Sequence, residues 1–152
     1  PIAANELRPA HRRNQHIVLD SPTITRRISA DPTRIVQVLV NLLANASKFS
    51  PPGGQIQIAV QPQANVLRLL ITDSGPGLET NDPMQLFHPF IHATVENSQH
   101  YGVGLGLHVV QTIVSAHGGQ VGAYNENKTG ATFWFELPYA EWMENGLEHT
   151  TG

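Results

Sequence analysis

Three groups of residues in this 152-residue chain have types and spacing suited to a metal ion, a phosphate or a purine amine. The first is Asn41, Asn45 and Lys48. On a helix, at ~100° per residue, the three fall within about 60° of arc, beside an apolar stripe rather than in it. Asparagine is a mediocre helix former, so packing gives little reason for two on one face. An amide oxygen ligates Mg²⁺, and a lysine ammonium neutralises phosphate as a point charge. The pattern also fits a plain polar flank on a half-buried helix. The second group, Asp73-Ser74-Gly75-Pro76-Gly77, closes the most apolar stretch of the chain. A carboxylate there is partly buried, and burial is costly unless a donor meets it. An exocyclic amine, as on adenine, is such a donor. The two glycines permit a sharp turn and the close approach of a flat ring, although Asp-Ser-Gly is also an ordinary strand-to-turn junction. In the third group, Gly102-Val103-Gly104-Leu105-Gly106 leads into Leu107 and a helical pattern. Backbone N–H groups at a helix start, with no side chains in the way, favour an anion. Other phosphate motifs are excluded by position. A dinucleotide fingerprint needs glycine where Leu107 or Val109 stands, a P-loop needs Gly-Lys-Ser or Gly-Lys-Thr, and the protein-kinase signatures are missing.

The elements that must position these groups can be read from periodicity. His16 to Leu19 reads as a strand closed by Asp20-Ser21-Pro22, and Thr25 to Ser29 as a second short strand. Asp31-Pro32 makes a helix cap and first residue. Ile35, Val38, Leu39, Leu42, Leu43 and Ala46 then recur at spacings of three and four until Pro51-Pro52-Gly53-Gly54 stops the helix. Gln55 to Gln61 alternates, while Val66 to Thr72 is nearly continuous apolar and is predicted to be central. A short helix is predicted over Pro83 to Phe87, a mobile loop over His88 to Tyr101, and a second amphipathic helix from Leu105 to about His117. Gly118-Gly119 ends that helix. His117 is read as a helix C-terminal residue placed for the dipole. Gln120 to Tyr124 and Ala131 to Leu137 pair around Asn125 to Gly130, and the tail from Tyr139 holds at most a helical turn. The fold class is α+β, a two-layer sandwich in which helices cover one face of a mixed, mostly antiparallel sheet. The chain divides into an extended opening segment over 1–14, the domain over 15–138 and a C-terminal tail over 139–152.

Bulk composition sets outer limits. The chain is 40% hydrophobic and 14% charged, with a net charge of -3 and no cysteine. That suits one globular core and offers no basic surface for nucleic acid, no disulfide and no thiolate metal site. The basic pairs Arg12-Arg13 and Arg26-Arg27 read as solvated surface. No apolar run approaches the ~18 residues that span a bilayer, so no membrane contact by this domain is expected. A chain beginning at Pro1 suggests a fragment of a longer protein.

In order, the motifs resemble those of histidine kinase ATP-binding domains. Asn41-Leu42-Leu43-Ala44-Asn45-Ala46-Ser47-Lys48-Phe49-Ser50 is similar to the N box of that family, Asp73 to Leu78 to its G1 box, and Phe87-His88-Pro89-Phe90 to its F box. Gly102 to Leu107 resembles the G2 box, and Thr129-Gly130-Ala131-Thr132-Phe133 the last, G3-like element. The likeness spans roughly residues 15 to 138. It implies the Bergerat fold shared by gyrase, the heat-shock chaperone, histidine kinases and MutL, with ATP and Mg²⁺ as ligands. By that resemblance Asn45 holds Mg²⁺, Asn41 lies near the metal and its water, and Lys48 reaches phosphate oxygens. Asp73 accepts from the adenine amine, Gly75, Gly77 and Leu78 lie by the ring, and Thr132 sits near the base through water. Gly102, Val103, Gly104, Leu105, Gly106 and Leu107 shape the lid hinge and the phosphate contacts.

The resemblance further implies a cytoplasmic domain of a sensor kinase, itself membrane-anchored or soluble. Its partners are a histidine-bearing dimerisation domain of the same parent protein and a response regulator. Two alternatives share the fold: a degenerate nucleotide-binding adaptor, and a serine kinase of the anti-sigma type. The family's phosphoacceptor context surrounds neither His11 nor His16, so the domain alone is expected to bind ATP without autophosphorylating. From His88 to Tyr101 the lid carries His88, His92 and His100 but no Arg or Lys, where the family often places a cation for the γ-phosphate.

Overall fold

The computed structural model describes residues 13–89, 106–126 and 130–140. The order of elements is β1 (His16–Asp20), α1 (Pro32–Phe49), β2 (Gln55–Pro62), β3 (Val66–Thr72), a 3-10 turn (Pro83–Phe87), α2 (Gly106–Ala116), β4 (Gln120–Asn125) and β5 (Ala131–Pro138). The helix α1 starts as its sequence dictates. The Asp31 side chain accepts from the Thr33 N–H at 3.0 Å, satisfying one of the donors left free at a helix start, and Pro32 occupies the first turn.

The strands form one sheet in the order β1-β2-β3-β5-β4. The apolar strand β3 is central, as its composition predicts, paired antiparallel with β2 (Ile58 opposite Ile71) and with β5 (Thr72 opposite Thr132). The β4–β5 pair is antiparallel, and β1–β2 is parallel. Parallel neighbours need a crossover of a dozen or more residues, and α1 supplies it.

Alternation along the strands divides the sheet into two faces. Ile56, Ile71, Val121, Phe133, Phe135 and Leu137 join the helix-side core. There they meet Val38, Leu42, Leu43 and Ala46 of α1 and Leu107, Val110, Ile113 and Val114 of α2. Phe87, fully buried, packs edge-on against Phe133 with ring centroids 6.2 Å apart. The opposite face carries Arg68, which pairs with Glu136 at 2.9 Å and lies over the Trp134 ring. This is the two-layer α+β arrangement expected, with the helices on one face. Among the described residues no helix is long and apolar enough to cross a membrane.

Four expectations change. Thr25 to Ser29 is not a strand: only an isolated bridge joins Ile28 to Tyr139, and the Ala140 N–H donates to Arg27 O. Tyr139, the first residue of the expected tail, is 3% exposed and packed beneath Arg26. Arg13 and Arg26 are not simply solvated. Arg13 donates to two carbonyls at the end of α1, while Arg26 lies 3.6 Å over the Tyr139 ring and donates to Ala64 O. His117 does more than face a dipole. Its Nδ1 lies 2.8 Å from Ile113 O and its Nε2 accepts from the Asp31 N–H at 3.1 Å, so it ties the end of α2 to the cap of α1.

Candidate nucleotide-binding site

The end of β3 turns at Asp73, which is only 4% exposed. Its Oδ1 accepts from the Gly75 N–H at 2.9 Å and from the Ala131 N–H at 3.1 Å, tying the turn to the start of β5. Gly130 makes that approach possible. It has φ +90°, and a Cβ on it would lie 2.1 Å from the Asp73 carbonyl oxygen. Further along, Asn125 from the end of β4 clamps Leu78 at both ends. Its Oδ1 accepts from the Leu78 N–H, and its Nδ2 donates to Leu78 O at 3.1 Å. Gly77 takes φ +92° beneath this clamp, where a Cβ would meet Asn125 Oδ1 at 2.9 Å. Leu78 therefore has its backbone N–H and carbonyl engaged and its side chain buried.

Thr132 is fully buried, opposite Thr72 on β3. Its hydroxyl donates to Glu126 Oε1, which leaves Thr72 to donate to Thr132 across 2.7 Å. One lone pair remains on Thr132.

The residues expected on one helical arc all lie on α1 but have different surroundings. Asn41 is half-buried, and its Nδ2 donates to Gly106 O at 3.2 Å, joining α1 to the first residue of α2 across 65 positions of sequence. Asn45 is also half-buried, and its Nδ2 is buried with no hydrogen-bond partner among the described residues. Lys48 is exposed, with its Nζ 5.5 Å from the centroid of the Phe49 ring. A cavity of about 550 Å³ opens beside it, lined by Arg13, Lys48, Phe49, Ser50, Pro51, Ser74, Gly75 and Pro76. The end of α1 and the Asp73 turn thus form two walls of one space, linked by Ser50 Oγ accepting from the Ser74 N–H at 3.0 Å. Ser74 Oγ in turn donates to Gln55 O.

Gly106 opens α2 with free space where a Cβ would stand, and Leu107 is buried in the core, so a ligand could use only its backbone. Gly102, Val103, Gly104, Leu105, Phe90, His92, His100 and most of the expected lid lie outside the described residues. Among those described, no cluster of three or more His, Cys, Asp or Glu side chains could hold a metal. Sequence reasoning passed over Arg13, Gln15, Ser50, Asn125 and Glu126. The roles of the first four depend on distant backbone groups, and Glu126 acts through the Thr132 hydroxyl six positions away, so no local spacing signals them.

With this geometry in hand, relatives can be compared. A profile of the family described as "Histidine kinase-, DNA gyrase B-, and HSP90-like ATPase" matches residues 30–141. The adaptive-response sensory kinase SasA of Synechococcus elongatus is 36% identical over 143 residues, covering 91% of this chain and 37% of its own length. The chain thus spans little more than a third of that relative. Among solved structures, the mycobacterial sensor histidine kinase MprB superposes with a TM-score of 0.74 at 27% identity, covering 91% of this chain and 93% of the other. Full-length ShkA in complex with AMPPNP gives a TM-score of 0.74 at 29% identity, covering 91% of this chain and 28% of the other. In sequence and fold alike, the chain belongs to the family of histidine kinase-, DNA gyrase B- and HSP90-like ATPases, with the architecture of a histidine kinase ATP-binding catalytic domain.

Proposed function

We propose that this domain binds ATP with Mg²⁺ and donates the γ-phosphoryl group to a histidine on a separate dimerisation domain of the same parent protein. The observation that carries this is the buried Asp73 carboxylate at the end of the central strand, one turn from a cavity shared by Lys48 and Gly75. Asp73 is the acceptor for the adenine amine, with Gly75, Gly77 and Leu78 giving the turn its shape under the ring. The lone pair left on Thr132 faces a bridging water. Lys48 neutralises phosphate oxygens, and the motif residues Gly102 to Gly106, with the Leu107 N–H, bind the phosphates.

Asn45 fits as the Mg²⁺ ligand. No hydrogen bond among the described residues holds its amide nitrogen, so the group is free to turn its oxygen to the metal. When bound, the metal neutralises charge on the transferring phosphoryl group. Asn41 would serve beside a bound metal and its water, and its bond to Gly106 ties α1 to the first residue of α2. The parent protein is read as a sensor kinase that passes the phosphoryl group to a response regulator, and the domain works in the cytoplasm, where ATP is available. The adaptor and serine-kinase alternatives draw no support from relatives that are named as sensory or sensor histidine kinases.

The test supplies the domain with ATP, Mg²⁺ and its own histidine-bearing helical hairpin. Acid-labile phosphate on the hairpin is the expected product, and the isolated domain forms none on itself. Acid-stable phosphate, or no transfer at all, would overturn the kinase reading. The variant Asp73→Asn keeps an oxygen for the Gly75 and Ala131 N–H groups but turns the second acceptor into a donor. It should stay folded and lose ATP binding by about a hundredfold or more, the scale of one charged hydrogen bond replaced by a donor clash. Unchanged affinity by calorimetry would remove Asp73 from the site.

A further inference from the structure

We infer that Arg13 and Gln15 are positioning residues for the nucleotide pocket: they hold the turn that ends α1 and, through Ser50, set the Ser74–Pro76 wall opposite it. This rests on the ATP-binding reading above.

The last carbonyls of a helix have no intrahelical donors. At the end of α1 the sequence makes this worse, because Pro51 and Pro52 bring no N–H. Two side chains from before β1 supply the missing donors. Gln15 Nε2 donates to Ser47 O and Ser50 O, each at 2.9 Å, and lies 3.3 Å from Pro51 O. Gln15 Oε1 accepts from Ser47 Oγ at 2.6 Å. Gln15 is 9% exposed, so a buried amide is spent on this one turn. Arg13 adds Nη1 donation to Ser47 O at 2.8 Å and Lys48 O at 3.0 Å, and its own carbonyl accepts from the Gly53 N–H at 2.9 Å.

The turn so held is one wall of the cavity. It presents Lys48, Phe49, Ser50 and Pro51, and Arg13 itself lines the same space. Ser50, fully buried, then accepts from the Ser74 N–H at 3.0 Å and carries the constraint to the opposite wall. The line of bonds runs from Gln15 through Ser50 to Ser74, next to Asp73. Remove Gln15, and Ser50 O loses its donor, while Pro51 O keeps only the Gly54 N–H. The turn is then free to shift, and the spacing between Lys48 and the Asp73 turn shifts with it.

The experiment measures ATP-Mg²⁺ affinity by titration calorimetry at a temperature where circular dichroism shows each variant folded. The variants are Gln15→Met, Arg13→Gln, Ser50→Ala and the double variant Q15M/S50A. A purely structural clamp would lower the unfolding midpoint and leave affinity unchanged. The positioning role predicts affinity weakened roughly tenfold in Q15M and about threefold in R13Q, the scale of one or two lost hydrogen bonds. Because Gln15 acts through Ser50, Q15M/S50A should fall within about twofold of Q15M alone. The Ser74 amide resonance should move in nucleotide-free Q15M. Folded Q15M and R13Q with wild-type affinity, or losses that add in the double variant, would overturn the proposal. If Q15M does not fold, R13Q decides alone by the same affinity criterion. Failure of the wild-type chain to bind ATP would overturn the pocket reading itself, and the positioning role with it.

Discussion

Gly130 and Asn125 decide the shape of the Asp73 turn more than any residue inside it. At Gly130 the positive φ and the 2.1 Å approach to the Asp73 carbonyl leave no room for a side chain. The obstacle is backbone and cannot rotate away. Gly130→Ala should therefore lower stability by about 2–4 kcal/mol, read as a drop in unfolding midpoint. A change under about 0.5 kcal/mol, the scale of a neutral surface substitution, would refute the packing described. Asn125 is exposed, so its clamp on Leu78 is in competition with water. Asn125→Ala should cost only about 1 kcal/mol of stability. It should weaken ATP binding as well, because Gly77 and Leu78 lose their tether. The composition around residues 73–78 made the turn legible. The residues that hold it were not, because they lie 19 to 58 positions away.

At the scale of elements, α1 is fastened at both ends, and the two ends have different consequences. Its start is capped by Asp31 and tied to the end of α2 through His117, whose Nε2 accepts from the Asp31 N–H. Its end is held by Arg13 and Gln15 beside the cavity. His117→Leu should thus cost about 1 kcal/mol in urea unfolding, the worth of a hydrogen bond at a partly exposed site. ATP affinity should not move, since the pocket lies at the other end of the helix. A weakened affinity would show that α1 transmits the loss along its length. The apolar period of α1 and its Asp-Pro start were plain in sequence, as was the Gly118-Gly119 stop of α2. The strand expected over Thr25 to Ser29 failed because a strand needs a partner, and among the described residues its backbone bonds only to Tyr139 and Ala140.

For the molecule as a whole, the candidate site joins the ends of α1 and β3 around the cavity to the start of β5, bonded to Asp73, and the start of α2, bonded to Asn41. No local segment holds it, so it exists only in the folded state. Ligand binding must then appear as global stability. At a free ATP-Mg²⁺ concentration about a hundred times Kd, the domain should gain about 2.7 kcal/mol. A thermal-shift titration should show the midpoint rising with ATP, and the Asp73→Asn variant should show at most about a sixth of that gain, about 0.4 kcal/mol or less. A wild-type midpoint indifferent to ATP would argue against a pocket assembled by folding.

By itself the sequence determined the helices, every strand but the one expected over Thr25 to Ser29, and which strand is central. Periodicity and turn chemistry are local, and they survive without a partner. It also determined the order of the five motifs, and through them the family. Only the tertiary structure decided that Asn41 meets Gly106, that Gly130 and Ala131 close over Asp73, and that a glutamine and an arginine ahead of β1 hold the end of α1. Each of those is a bond to a backbone carbonyl or amide. Every residue offers the same groups, so the pattern of side chains cannot announce which will be brought near. The sheet order and the packing of the helices on one face make that choice.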